Sequence, residues 1–86
     1  MNIITPTVGR IVHYTPSPGD SYVSLAHQDQ PLAAIIVYVH TDKYVNLSVF
    51  DADGRCHRRA GVLLLPFSSQ PLPEGNYCRW PHDTEA

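Results

Sequence analysis

The stretch that decides the fold is YVNLSVFDADGRCHRRAGV, residues 44–62. Residues 44–51 alternate between aliphatic side chains and polar or aromatic ones. A period of two is typical of a strand that buries one face and exposes the other. The segment DADG follows, and Gly54 is the residue that can take the positive φ of a tight turn with a bulge. The stretch therefore predicts a β-hairpin whose returning strand covers residues 55–62.

Three further runs of strand-forming residues lie outside this hairpin. Residues 8–14 (VGRIVHY) form the first run, which ends at TPSPGD because prolines and a glycine stop a strand from continuing. Residues 32–40 (LAAIIVYVH) are apolar on both faces, as expected of a central strand. Residues 76–80 (NYCRW) form the last short strand before Pro81. The chain is therefore predicted to be all-β, a small five-stranded antiparallel Src-homology-3-like barrel with little or no helix.

The length of the chain limits it to one domain. Because 86 residues supply only one hydrophobic core, residues 1–86 are predicted to form a single barrel domain. The segments without a strand pattern are a flexible polar loop at 15–30, a proline-rich loop at 63–75 and a short tail at 82–86. A sandwich of two hairpins is the alternative arrangement of these strands. The side chains predicted to form the core are Val12, Ala34, Ile36, Val45, Leu47, Val49, Cys78 and Trp80.

Composition narrows the classes of function. The hydrophobic fraction of 43% and charged fraction of 16% are those of a folded protein. The net charge of -2 gives no general attraction to nucleic acid or to an acidic membrane surface. The longest apolar run, residues 32–39, is far shorter than the roughly 20 residues that span a bilayer. With no signal peptide pattern and only two cysteines, a reduced cytosolic compartment is expected.

Metal binding and catalysis are not predicted. By residue type, the best zinc ligands are Cys56, His57, Cys78 and His82. However, Cys56 and His57 are adjacent on a strand and point to opposite faces, and the spacing matches no established zinc pattern. Both cysteines are instead expected to be small buried hydrophobic residues. The sequence contains no nucleophile elbow, phosphate loop or convergent acid–base pair, so we expect no cofactor and no enzymatic activity.

The cationic side chains are the strongest functional signal. Four of the six lie in the last two predicted strands or at their ends. A guanidinium group binds phosphate oxygens through a planar fork, and a neighbouring aromatic ring can stack on a base. This pattern predicts a surface for a nucleotide or another anion. The alternative is an edge strand that its positive charge keeps soluble. The predicted ligand-binding residues are Arg55, Arg58, Arg59, Tyr77, Arg79 and Trp80.

A family resemblance extends over about two thirds of the chain, and the segments that carry it are PTVGRIVHY (6–14), PLAAIIVYV (31–39), VNLSVFDADG (45–54) and WP (80–81). They resemble a group of small proteins encoded by tailed bacteriophages and prophages, in which GRIVHY and VNLxVFD are the specific parts. The chain departs from the group at Tyr77 and Cys78, where a first Trp is common, and in its longer proline-rich insertion at 66–73. Both departures lie near the predicted ligand surface.

The resemblance implies a protein that acts in the cytoplasm of a bacterial host. By analogy with small phage proteins that counter host defence, we expect a non-enzymatic binding protein that sequesters an anionic nucleotide signal, of the cyclic nucleotide or ADP-ribose type. Self-association is expected because an 86-residue chain buries only a limited core. The alternative is a protein-interaction module that inhibits a host factor, or a minor component of the phage particle. Its contact surfaces would be residues 15–30 and 66–73.

Overall fold

The computed structural model describes residues 5–17, 30–66, 68, 70–73 and 75–81. Within these residues the fold contains strands and no helix. The strands close into a barrel in chain order, and the last strand pairs with the first. The predicted small five-stranded barrel is therefore confirmed. The strands are β1 (Ile11–Thr15), β2 (Leu32–Thr41), β3 (Tyr44–Phe50), β4 (Cys56–Leu65) and β5 (Tyr77–Arg79).

One strand pair differs from the antiparallel prediction. β4 and β5 run parallel, with Leu64 opposite Cys78 and Leu65 opposite Arg79. The remaining four pairs are antiparallel. A parallel pair requires a connection that crosses from one end of the strands to the other, which a tight turn cannot provide. The proline-rich segment between β4 and β5 supplies that crossing.

Two strand boundaries differ from the prediction by three residues. β1 begins at Ile11 and not at residue 8, because Gly9 has a φ of 97° and the Arg10 N–H donates to the Thr7 carbonyl at 3.3 Å. These features form a turn ahead of the strand. At the other end, β4 continues to Leu65, through leucines that were predicted to be irregular. Their uninterrupted apolar run hides the period of two by which a strand is recognised.

The turn between β3 and β4 has the predicted form. Gly54 has a φ of 87° and donates its N–H to the Asp51 carbonyl at 2.9 Å. The Asp51 N–H in turn donates to the Arg55 carbonyl at 2.9 Å. These two bonds define a hairpin with a three-residue loop, in which the glycine occupies the left-handed position of the bulge.

The barrel interior is the single core. All the side chains predicted to form it are at most 3% exposed. They are joined by the fully buried Tyr14 and Val62, among others. Burying a large aliphatic or aromatic side chain contributes about 1.5–3 kcal/mol, so these side chains supply most of the folding energy. The core also connects the first strand to the last, because the Tyr14 hydroxyl of β1 accepts a hydrogen bond from Nδ2 of Asn76, the residue before β5, at 3.1 Å.

Candidate functional site

Two β-bulges flank β3 at the level of Asn46. On one side, Val37 of β2 stands unpaired between two neighbouring register pairs. On the other side, Ala60 and Gly61 of β4 both stand opposite Asn46, where the register with β3 shifts. Bulges bend a strand, increase its twist and redirect side chains, and they are frequent beside functional sites. The sheet therefore changes direction at this level on both sides of β3.

The side chain of Asn46 holds the second bulge in place. Its Oδ1 accepts the Gly61 N–H at 2.9 Å and lies 2.8 Å from His40 Nε2. Gly61 has a φ of 63°, in the left-handed region that favours glycine. With Oδ1 engaged in this way, the two N–H donors on Asn46 Nδ2 remain to serve another acceptor.

The bulges frame an open cleft of about 630 Å³ on the sheet of β2, β3 and β4. Ser48 and Arg58 stand directly opposite each other in this cleft. Within the described part of the chain, the side chains of Ser48 and Arg58 make no hydrogen bond. We call this the bulge cleft, and its lining residues are Val37, Asn46, Leu47, Ser48, Arg58, Arg59 and Ala60. None of them carries a carboxylate.

The structure brings two of the six predicted ligand-binding residues into this cleft. Arg58 is exposed on β4, and Arg59 is half-buried beside it. Arg59 Nη1 donates a hydrogen bond to the Arg58 carbonyl. Arg55 is exposed just after the hairpin turn and does not line the cleft.

The other three predicted residues lie elsewhere in the barrel. Tyr77 is 6% exposed and Trp80 is 3% exposed, so neither ring offers a free face on which a base could stack. Trp80 is also covered by Arg10, whose guanidinium carbon lies 5.0 Å from the ring centroid. Arg79 is half-buried on β5 opposite His13 of β1. The assignment of these residues to a ligand stays a prediction, and the bulge cleft does not include them.

Sequence reasoning missed Asn46, Ser48 and Val37 as members of this cleft. The sequence nevertheless carries one signal for the bulge in β4. In the first half of β4, the odd-numbered His57 and Arg59 stand opposite the buried Val49 and Leu47. In the second half, the buried residues are the even-numbered Val62 and Leu64. Such a change of phase within one strand, next to a glycine, indicates an extra residue. The positions opposite that residue can then be read as a candidate cleft.

A second polar group lies at the end of the β3–β4 hairpin. The Oδ2 of Asp51 lies 2.8 Å from His57 Nε2, and Asp51 is 8% exposed. Its Oδ1 accepts the N–H groups of Asp53 at 2.9 Å and of Arg55 at 3.0 Å. The hydrogen bond from His57 lowers the pKa of Asp51, the two backbone donors add to this effect, and burial opposes it. The carboxylate is thus committed to holding the turn.

The cysteines occupy different environments. Cys78 is fully buried, as predicted, and burial raises the pKa of its thiol to about 12. The same prediction is wrong for Cys56, which is exposed because it lies on the outer face of β4 opposite Phe50. Within the described part of the chain, no group of three or more His, Cys, Asp or Glu side chains could hold a metal ion. His82 lies outside that part.

Comparisons with protein-family models, with curated proteins and with solved structures found no match for this chain. The phage resemblance therefore stays a prediction, and the functional argument rests on the geometry of the barrel. Among the described residues, no helix has the length and apolar character needed to cross a bilayer.

Proposed function

We propose that the protein is a non-enzymatic binding protein that holds a small phosphate-bearing ligand in the bulge cleft. One observation carries the proposal. Hydrogen-bond donors of Arg58, Ser48 and Asn46 line a single cleft that contains no carboxylate. A site with several donor side chains and no acidic group favours an anion, since its donors can all be directed at negative oxygen atoms.

The cleft suits a ligand with both a charged and an apolar part. Its volume of about 630 Å³ falls in the range of small-molecule sites. The Arg58 guanidinium can place two parallel hydrogen bonds on a phosphate, and the Ser48 hydroxyl across the strand pair can donate a third. Val37 and Ala60 supply an apolar wall against which a base or a sugar can pack. A nucleotide combines these two chemistries.

The resemblance to phage proteins supports a specific setting for this binding. In a bacterial host, a phage protein that binds a cyclic nucleotide or an ADP-ribose-type signal without converting it would lower the free concentration of that signal. Sequestration requires tight stoichiometric binding and no catalytic groups, which suits a cleft of hydrogen-bond donors beside an apolar wall. Self-association, proposed from the small core of the chain, would multiply the number of sites in each particle.

Calorimetry against a panel of cyclic dinucleotides, cyclic trinucleotides and ADP-ribose derivatives tests the proposal, with light scattering to measure mass. We expect at least one member of the panel to bind stoichiometrically. Arg58→Ala should then lose about 1.5–3 kcal/mol of binding free energy, the usual value of a charge-assisted hydrogen bond. Ser48→Ala should lose less, because its hydroxyl is neutral.

Lys43→Ala is the matched control, since it removes an exposed cation from the β2–β3 turn and not from the cleft. It should bind the ligand as the wild type does. Failure of every nucleotide to bind, or equal binding by Arg58→Ala and the wild type, would refute the proposal.

A protein-interaction module, inhibiting a host factor or belonging to the phage particle, is the second candidate. Its support is the set of large apolar side chains that the barrel exposes, such as Ile11 at 58%, Val37 at 47% and Tyr38 at 55%. Most of the predicted contact loop 15–30 lies outside the described residues, as do parts of the segment 66–73. Co-purification of one stoichiometric host or virion protein from infected cells would favour this candidate over nucleotide binding.

A further inference from the structure

β4 extends well beyond its partner on one side. It runs from Cys56 to Leu65, but β5 pairs only with Leu64 and Leu65. β3 pairs with residues 56–59 on the other side. Among the described residues, no strand pairs with the edge of residues 56–60 that faces away from β3. We refer to this stretch of backbone as the open edge.

The hairpin fixes which backbone groups the open edge presents. The Asp51 N–H donates to the Arg55 carbonyl, and the register from there to Arg59 is unbroken. In an antiparallel ladder, alternate residues direct both their N–H and their C=O toward the same neighbour. His57 and Arg59 therefore bond to β3, whereas Cys56 and Arg58 direct their backbone groups away from it.

A separate contact supports this assignment. The Arg58 carbonyl accepts a hydrogen bond from the guanidinium of Arg59, the next residue in the chain. The bond agrees with an Arg58 carbonyl that points to the outer side of the strand, away from β3. Cys56, Arg58 and Ala60 are all exposed, and a neighbouring strand can therefore reach this backbone.

Charge decides what kind of strand fits the open edge. Arg58 is exposed there on the same face as Cys56, while the nearby carboxylate of Asp51 is buried and paired with His57. A second copy of β4 added antiparallel across the edge would set arginines against arginines, and like charges on facing strands are destabilising. A strand that carries carboxylates at alternate positions is complementary to this surface.

We propose that the open edge of β4 is a strand-addition site for an extended acidic segment of a partner protein. Main-chain hydrogen bonds to Cys56 and Arg58 provide the affinity, and a carboxylate on the same face as Arg58 provides the specificity. The site shares Arg58 with the bulge cleft but differs in what it recognises, which is a peptide backbone that a nucleotide does not have. It also lies apart from the loops 15–30 and 66–73.

Amide hydrogen exchange measured by NMR tests the proposal on the full chain. The probe is a capped hexapeptide of alternating valine and glutamate. In the free protein, the amides of Cys56 and Arg58 should exchange quickly, whereas those of His57 and Arg59 should be protected by β3. Saturating peptide should slow exchange at Cys56 and Arg58 by at least about tenfold and leave His57 and Arg59 unchanged.

Three controls separate strand addition from simple charge attraction. The peptide with lysine in place of glutamate should not bind. Two versions of the glutamate peptide carry N-methyl groups either at the odd-numbered or at the even-numbered residues. Only one version should lose binding, because only one edge of the peptide pairs with β4. Arg58→Ala should weaken peptide binding while Lys43→Ala does not.

Four results would overturn the proposal: equal protection of all four amides in the free protein, absence of peptide binding, equal binding of the lysine peptide, or indifference to N-methylation. Equal protection of the four amides would mean that another part of the chain already covers the edge. Absence of binding would mean that the arginines serve only to keep an edge strand from aggregating. None of these readouts depends on a nucleotide, so this proposal and the bulge-cleft proposal can fail separately.

Discussion

Asp51 and His57 join the two strands of the β3–β4 hairpin at its turn, with the carboxylate Oδ2 2.8 Å from the imidazole Nε2. The other carboxylate oxygen accepts the N–H groups of Asp53 and Arg55 within the turn. One side chain thus holds both the loop and the first residues of the returning strand. Because β4 carries the bulge cleft and the open edge, the position of both candidate sites depends on this carboxylate.

The hairpin should lose stability in acid. The pKa of Asp51 in the folded chain lies below its ordinary value of 3.8, mainly because of the hydrogen bond from His57. A carboxyl group with a lowered pKa contributes stability above its unfolded value, and this contribution is lost as the pH falls through the folded pKa. Urea denaturation should therefore show the Asp51 contribution intact above about pH 4 and fading below it.

Asp51→Asn is the comparison for that experiment, because it keeps the shape of the side chain and removes its ionisation. The variant should be less stable than the wild type at neutral pH, and the two stabilities should converge in strong acid. A constant difference at every pH would contradict the assignment of the acid sensitivity to Asp51.

Two of the three described glycines with left-handed backbone, Gly54 and Gly61, should resist substitution for conformational reasons alone. Gly54 and Gly61 have φ values of 87° and 63°, and an added Cβ would meet nothing within 4 Å at either position. Forcing an L-residue into this region costs about 1–2 kcal/mol. Gly54→Ala and Gly61→Ala should each lower the free energy of unfolding by about that amount, measured by chemical denaturation.

Gly75→Ala is the matched control, since an added Cβ there also meets nothing within 4 Å and its φ lies outside the left-handed region. It should be neutral or slightly stabilising. A loss at Gly75 as large as that at Gly61 would show that the cost has another origin.

The contact between Arg10 and Trp80 should contribute a small, measurable stability. Arg10 is exposed, and a cation over an aromatic ring at an exposed site is worth about 0.5–1 kcal/mol. Arg10→Ala should lower the free energy of unfolding by this amount. Trp80 is the only tryptophan of the chain, so its fluorescence reports the unfolding transition directly. Lys43→Ala removes the same charge without an aromatic partner and should have almost no effect.

The cysteines should differ sharply in reactivity. Cys56 is exposed, whereas Cys78 is fully buried and its pKa is raised to about 12. Only a thiolate reacts readily with a disulfide reagent, so a neutral solution of the native protein should release one fast equivalent. The second equivalent should appear with unfolding. Cys56→Ser should abolish the fast phase, and persistence of that phase would contradict the burial of Cys78.

The local features of the barrel could be predicted from the sequence. The alternation of residues 44–50 and the glycine of the turn depend on neighbours only a few positions apart, and both are confirmed. The parallel pairing of β5 with β4 could not be predicted. This pairing depends on the path of the chain between Leu65 and β5, and short-range sequence patterns do not predict such a path.

The candidate site could be predicted only in part. Arg58 and Arg59 stand out by charge, but Asn46 and Ser48 read as ordinary polar positions until the register places them beside the arginines. The predicted ligand surface also requires an exposed Tyr77, whereas this side chain is 6% exposed. β5 is three residues long, and at both Tyr77 and Cys78 the closed barrel leaves little exposed surface.

The pairing of β1 with β5 has a consequence for the synthesis of the chain. The hydrogen bond between Tyr14 and Asn76 joins residues 62 positions apart, and Trp80 of the core comes later still. On a ribosome, the first three strands emerge well before the strand that closes them. The barrel cannot complete its core until residue 80 has left the exit tunnel. Closure is therefore a late event, governed by contacts distant in sequence, which places this small protein among the slower folders of its length.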